Sequence, residues 1–155
     1  RILARLRGAG MAFDATASRV GWGLGHHTLA QGLRRVLDRA GLTPQDVDLI
    51  VSGASGAVAG DRLEALTLRA AWGEAPLPPL VTPKSVTGEY GGGFLAGAVL
   101  AAHGARFGSP NGSTEPDPAL GLRSSAVPAT LSPQVVLATS LAAGGAASWL
   151  VLERP

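Results

Sequence analysis

The residues best placed to do chemistry stand together in Val81-Thr82-Pro83-Lys84-Ser85-Val86-Thr87-Gly88-Glu89-Tyr90-Gly91-Gly92-Gly93. Lys84 is the one lysine of the chain, against twelve arginines. A lysine in a Lys-Ser-x-x-Gly turn can be a catalytic base or half of a buried ion pair, and this setting favours the ion pair. Glu89 can serve as acid or base, or stand as a tolerated replacement in a pocket that has lost its chemistry. Gly91-Gly92-Gly93 at a helix start can receive an anion. Without a following Gly-Lys-Ser/Thr it is no phosphate loop, and close helix packing explains it better. Gly53-Ala54-Ser55-Gly56-Ala57 falls short of a nucleophile elbow, because Ala57 stands where glycine is needed and no Asp and His follow in order. His26-His27 has no carboxylate or cysteine at ligand spacing, so it reads as a solvated pair and no metal site is expected.

These residues sit in a chain of 155, long enough for one domain or part of one. An apolar fraction of 46% supports a core and argues against disorder. The formal charge is only +2 and the largest basic cluster is Arg34-Arg35, which excludes a nucleic-acid-binding footprint. With no cysteine there is no disulfide, thiolate metal site or cysteine nucleophile in these residues. No apolar run reaches the roughly 18 to 20 residues of a membrane helix. Nothing resembles a signal peptide. The expected location is the cytoplasm, with no cofactor. The start at Arg1 rather than Met suggests a missing upstream segment.

The elements that must position the site follow from periodicity. Ile2 to Phe13 reads as a strand, and residues 14–27 as a polar loop. Thr28 is placed to cap a helix with an apolar face of Leu29, Leu33, Val36, Leu37 and Ala40, stopped by Gly41. Thr43-Pro44-Gln45-Asp46 has the chemistry of one capped turn. Val47 to Val51 reads as a buried strand. Asp61 is placed to cap a second helix, with Leu63, Leu66 and Ala70 inward and Gly73 at its end. Leu80-Val81-Thr82 is a short strand.

A third helix, from about Gly91 to His103, is apolar on every side and should be covered all round. His103 at its end suits the helix dipole. Residues 104–133, rich in Gly, Pro, Ser and Asn, read as a long surface loop. Val135 to Ser140 and Ser148 to Leu152 are closing strands, joined across Ala142 to Ala146. The order β-α-β-α-β-α-β-β favours a parallel sheet flanked by helices. The all-apolar third helix needs a second layer, which implies a partner domain.

In this order and spacing the motifs resemble the C-terminal half of a β-ketoacyl synthase, the condensing enzyme of fatty-acid and polyketide assembly. Ala9-Gly10-Met11-Ala12-Phe13-Asp14 is similar to the family's opening strand and turn. Ala40-Gly41-Leu42-Thr43-Pro44-Gln45-Asp46-Val47-Asp48 is close to its typical sequence there. Gly60-Asp61-Arg62-Leu63-Glu64-Ala65 fits its acidic helix start. Lys84-Ser85-Val86-Thr87-Gly88 matches Lys-Ser-x-x-Gly-His up to the last residue, Glu115-Pro116-Asp117-Pro118 its long-loop signature, and Gly144-Gly145 its last glycine-rich turn. The resemblance covers almost all of residues 1–155. It implies one thiolase-like half, a mixed sheet flanked by helices, packed on a second similar half.

The departures carry the functional expectation. The family's nucleophilic cysteine belongs to the N-terminal half. Its two histidines belong to the half represented here, and their positions fall on Gly53 and Glu89. The asparagine after the last glycine turn falls on Ala147, and the gating aromatics on Leu141 and Ala143. Family histidines donate hydrogen bonds to the malonyl thioester oxygen as carbon dioxide leaves, each contributing about 3 to 4 kcal/mol. Gly53 has nothing to donate, and an ionised Glu89 only accepts. Lys84 and Glu64 match a buried lysine and acid of the family, and so are expected to pair.

The resemblance therefore implies a non-catalytic subunit of the chain-length-factor kind that supports an active ketosynthase. Leu141, Ala142, Ala143 and Gly144 would leave room for an acyl tunnel. The expected partners are an N-terminal ketosynthase-like half on a separate chain, an active ketosynthase subunit and, transiently, an acyl carrier protein. No nucleic acid or membrane is expected. The alternative is acyl transfer or thioester processing, with a cysteine on the separate half and Glu89 as acid or base.

Overall fold

A computed structural model describes residues 2–88, 93–103 and 132–155. The expected loop over 104–133 and Glu89 therefore fall, except for residues 132–133, outside the described residues. Strand β1 (Arg5–Phe13) leads to helix α1 (His26–Arg39), a 3₁₀ turn (Pro44–Asp46), β2 (Leu49–Val51), α2 (Val58–Trp72) and β3 (Leu80–Val81). A short helix α3 (Lys84–Thr87), the helix α4 (Gly93–Ala102), β4 (Val135–Leu141) and β5 (Ala146–Glu153) follow. The strands form one sheet in the order β1-β5-β4-β2-β3.

The sheet is mixed. β2 pairs in parallel with β3 and β4, as helix-linked strands should, whereas β5 runs antiparallel to both β4 and β1. A purely parallel sheet is excluded by the tight β4–β5 turn, where Ala142 N–H donates to Ala146 O at 2.9 Å. Such a connection can only join antiparallel strands. Asp48, just before β2, accepts the N–H groups of Gln134 and Val135 at 2.8 and 2.9 Å. One carboxylate thus sets where β4 enters the sheet.

The α1 face predicted from its period is the buried one: Leu29, Leu33, Val36, Leu37 and Ala40 all lie in the interior. Leu29, Leu33, Val36 and Leu37 pack with Ile50, Leu137, Trp149 and Val151 on one side of the sheet, joined by Leu63 and Leu68 of α2. Two helix starts differ from expectation. α1 begins at His26, and Thr28 is an exposed first-turn residue rather than a cap. Its start is instead fixed from a distance, because Gly25 N–H donates to the Asp14 carboxylate at 2.9 Å. α2 begins at Val58, before Asp61. The Asp61 carboxylate reaches back to the N–H groups of Ser55 and Gly56 at 3.1 and 3.0 Å, and so closes the turn ahead of the helix. Gly73 ends α2 as expected. Asp46 accepts both the N–H and the hydroxyl of Thr43 at 2.7 Å, which holds the 3₁₀ turn.

Among the described residues, the other side of the sheet is only half covered. Ala98, Ala101 and Ala102 of α4 pack on Leu49, Val51, Val136, Ala138 and Leu152. The opposite flank of α4 leaves Leu95 and Leu100 45% and 52% exposed. Complete coverage of this helix is therefore not provided by the described residues. Pairing of Leu6 with Leu152 and of Met11 with Ser148 puts Leu6, Met11 and Phe13 on this same side of the sheet. Met11 and Phe13 are 78% and 61% exposed. Apolar surface this concentrated marks a contact face rather than a solvated one.

Candidate functional site

The chain passes from β2 into α2 through Ser52-Gly53-Ala54-Ser55-Gly56-Ala57. Glu64, on the second turn of α2, points back under this segment and is buried. Its Oε1 accepts the Ser52 hydroxyl at 2.8 Å, the Gly53 N–H at 3.1 Å and the hydroxyl of Thr139 on β4. One oxygen thus ties α2 to the ends of two neighbouring strands. Burial pushes the Glu64 carboxyl above its ordinary value, against the pull of Thr139, Ser52 and Gly53, and the charge of Asp61 adds to the rise.

The expected partner of Glu64 was Lys84. Lys84 is buried at the start of α3 and has interactions of its own, but the hydrogen bonds of Glu64 run to these neutral donors. Two hydroxyls and one main-chain N–H thus satisfy this oxygen.

Gly53 is closed to side chains by the backbone itself. A Cβ there would stand 2.7 Å from the Thr139 carbonyl oxygen and 3.1 Å from the Ser140 Cα. Gly53→Ala is therefore expected to cost about 2 kcal/mol in denaturant unfolding, and Gly53→His at least as much. A neutral alanine variant would show that β4 gives way.

A cavity of about 280 Å³ opens beside Gly53. Its walls include Trp22, Asp61, Glu64, Leu141, Ala142 and Ala143. The fold thus brings together Gly53 and the small residues before the last glycine turn, which lie far apart in sequence. Gly144 sits in the turn behind, where its N–H donates to Gly21 O at 2.9 Å. Ala147 is buried on β5 opposite Leu141 and Ala12.

Trp22 was not singled out by the sequence. It lies in the loop after β1, and its ring occupies the space in which a Gly60 Cβ would stand, 2.5 Å from Cζ2. The one available signal was a large aromatic within the run Gly21-Trp22-Gly23. His26 and His27 have ring centroids 4.2 Å apart, and His26 Nδ1 lies 3.1 Å from Leu24 O. Among the described residues no group of three or more potential metal ligands forms. No helix among them is long and apolar enough to cross a membrane.

Among the described residues the cavity wall carries no imidazole and two carboxyls, Asp61 and Glu64, so it can hold a ligand and offers few proton-transfer groups. Residues 3–117 match the family model of the β-ketoacyl synthase C-terminal domain. The chain is 32% identical over 126 residues to the tetracenomycin polyketide synthase ketoacyl synthase beta subunit of Streptomyces glaucescens, covering 78% of this chain and 29% of that protein. It is 41% identical over 99 residues to a putative polyketide beta-ketoacyl synthase 2 of Streptomyces halstedii, covering 63% of this chain and 23% of that one. The chain thus spans less than a third of the length of these relatives.

Among solved structures, the ishigamide ketosynthase/chain length factor superposes with a TM-score of 0.83 at 25% identity, over all of this chain and 39% of that one. A type II polyketide synthase acyl-carrier protein in complex with its ketosynthase superposes with a TM-score of 0.89 at 20% identity, again over all of this chain and 39% of that one, and shares the fold. The thiolase-like half expected from the motifs is the fold observed, and the chain belongs to the β-ketoacyl synthase C-terminal domain family.

Proposed function

We propose that these residues form the C-terminal half of a ketosynthase-like subunit of a type II polyketide synthase, of the chain-length-factor kind. The subunit lacks condensing chemistry of its own and shapes the space available to an acyl chain extended by an active ketosynthase. The observation that carries the reading is Gly53. The position where the family's donor histidine falls is occupied by glycine, and the Thr139 carbonyl 2.7 Å from its missing Cβ leaves no room for a donor. Loss of one such donor removes about 3 to 4 kcal/mol of stabilisation from the developing enolate. The beta-subunit relative and the ketosynthase/chain length factor neighbour support the same assignment.

The half-covered sheet calls for an N-terminal ketosynthase-like half as the first partner. An active ketosynthase subunit and a transient acyl carrier protein follow from the resemblance, and a carrier protein–ketosynthase complex is among the structural neighbours. The test is tunnel volume. Ala143 faces the cavity, so Ala143→Phe in the assembled synthase is expected to shorten the product by at least one extension unit while condensation continues. Unchanged product length would remove the tunnel from the proposal.

A further inference from the structure

The geometry points to a second role for Glu64. We propose that its Oε2 presents an O–H to the cavity and there recognises a neutral carbonyl oxygen on an otherwise apolar ligand. In the terms of the function proposed above, on which this rests, the ligand is a chain carrying keto groups rather than a saturated one.

The two carboxyl oxygens divide their work. Oε1 accepts all three hydrogen bonds, from Ser52, Gly53 and Thr139. The Gly53 N–H can only donate, so Oε1 is held in the acceptor role. A proton carried by this group therefore belongs on Oε2. That atom lies on the Gly53 side, 3.5 Å from where a Gly53 Cβ would stand. Gly53 and Glu64 both line the cavity.

The surroundings favour the protonated form. Glu64 is 4% exposed, and burial raises its carboxyl above the ordinary value. Asp61 on the same helix raises it further. The groups that meet it from β2 and β4, Ser52, Gly53 and Thr139, do not ionise. Lys84 on α3 is not among the groups that shift it. A neutral carboxyl is a hydrogen-bond donor, which suits a ketone oxygen, and the Asp61 carboxylate in the same wall disfavours an anion. Of the remaining wall, Trp22, Leu141, Ala142 and Ala143 offer apolar surface to the rest of the ligand, while Ser55 and Asp61 form its polar edge.

The test uses the chain assembled with its partner subunits and two probes of matched size, cyclohexanone and cyclohexane, followed by ligand-observed NMR titration. The readout is the ratio of the two affinities, compared between variants so that the probes' different hydrophobicity cancels. Glu64→Leu is expected to lower the ketone-to-hydrocarbon ratio about tenfold. In the wild type the ratio should fall as pH rises through the titration of the carboxyl, because the ionised form repels a carbonyl oxygen. Glu64→Gln keeps Oε1 as acceptor and puts an N–H at the other position. Its ratio should stay high at every pH, and this keeps the test decisive if Glu64→Leu fails to fold. A wild-type ratio that ignores pH and equals that of Glu64→Leu would overturn the assignment to Glu64 alone. Ala142→Leu, which fills the cavity, should evict both probes. Should neither probe bind the wild type, or Ala142→Leu change nothing, the cavity is not ligand space and the tunnel reading falls with it.

Discussion

Asp14→Ala is expected to destabilise the protein by about 3 to 4 kcal/mol, a large effect for the loss of one polar side chain. Asp14 is 1% exposed. Its carboxylate accepts the Thr16 N–H at 2.9 Å, the Thr16 hydroxyl at 2.6 Å and the Gly25 N–H at 2.9 Å. The Thr16 hydroxyl oxygen in turn accepts the Leu24 N–H at 2.7 Å. The Asp14 N–H donates to Gly145 O at 2.8 Å. One residue therefore folds the segment 14–25 onto itself, starts α1 and ties both to the β4–β5 turn. Alanine would leave two N–H groups, of Thr16 and Gly25, and the Thr16 hydroxyl without this acceptor, each costing about 1 to 3 kcal/mol if still buried. Relaxation of the loop into water limits the total.

The pH dependence has a definite sign. Burial would raise the Asp14 carboxyl, but Thr16, Gly25 and the His26 charge outweigh it, and the net shift is downward from 3.8. A carboxyl lowered on folding stabilises the fold above its unfolded value, and that contribution disappears as pH falls through the folded value. Urea unfolding of wild type and Asp14→Ala at pH 7 and again near pH 2 checks both points. The gap between them should be full at neutral pH and should shrink in acid. A constant gap would mean that the side chain acts by packing alone. Because the same loop carries Trp22, the variant should also open the cavity wall at Gly60.

The second large effect concerns assembly. Leu100→Glu is expected to leave the secondary structure intact and to weaken association with the proposed N-terminal half at least about a hundredfold. Leu100 is 52% exposed in this chain, so a charge there meets water and the sheet beneath is undisturbed. In an apolar contact the same charge is desolvated without a partner, at a cost of about 3 kcal/mol or more, and each 1.4 kcal/mol is a factor of about ten in affinity. Co-purification with the partner half, beside circular dichroism of the variant, reads the two quantities separately. Gln31→Glu, on the exposed face of α1, serves as the control. Equal recovery of partner with both variants would show that α4 does not face the interface.

The sequence was most legible where contacts are local. The face of α1 repeats every three to four residues, and each residue assigned inward lies inward. The α2 start was misplaced because Asp61 has the chemistry of a cap, yet uses it on Ser55 and Gly56, upstream of the helix. Which groups would meet Glu64 was not legible. Its partners stand 12 and 75 positions away at Ser52 and Thr139, and hydroxyls leave no periodic trace. The family resemblance supplied the cavity neighbourhood of Gly53 and Leu141 to Ala143. It could not supply Trp22, whose position depends on the fold of the Asp14 loop.

The meeting of Gly53 with the Thr139 carbonyl also constrains how position 53 could ever change. A codon change that places a side chain at position 53 runs into main chain, which no rotamer can move aside. β4 would first have to withdraw, and that strand is tied to α2 through Glu64 and to β2 through Asp48. A side chain at position 53 therefore takes at least two coordinated changes, the first of them in the strand and not at the glycine.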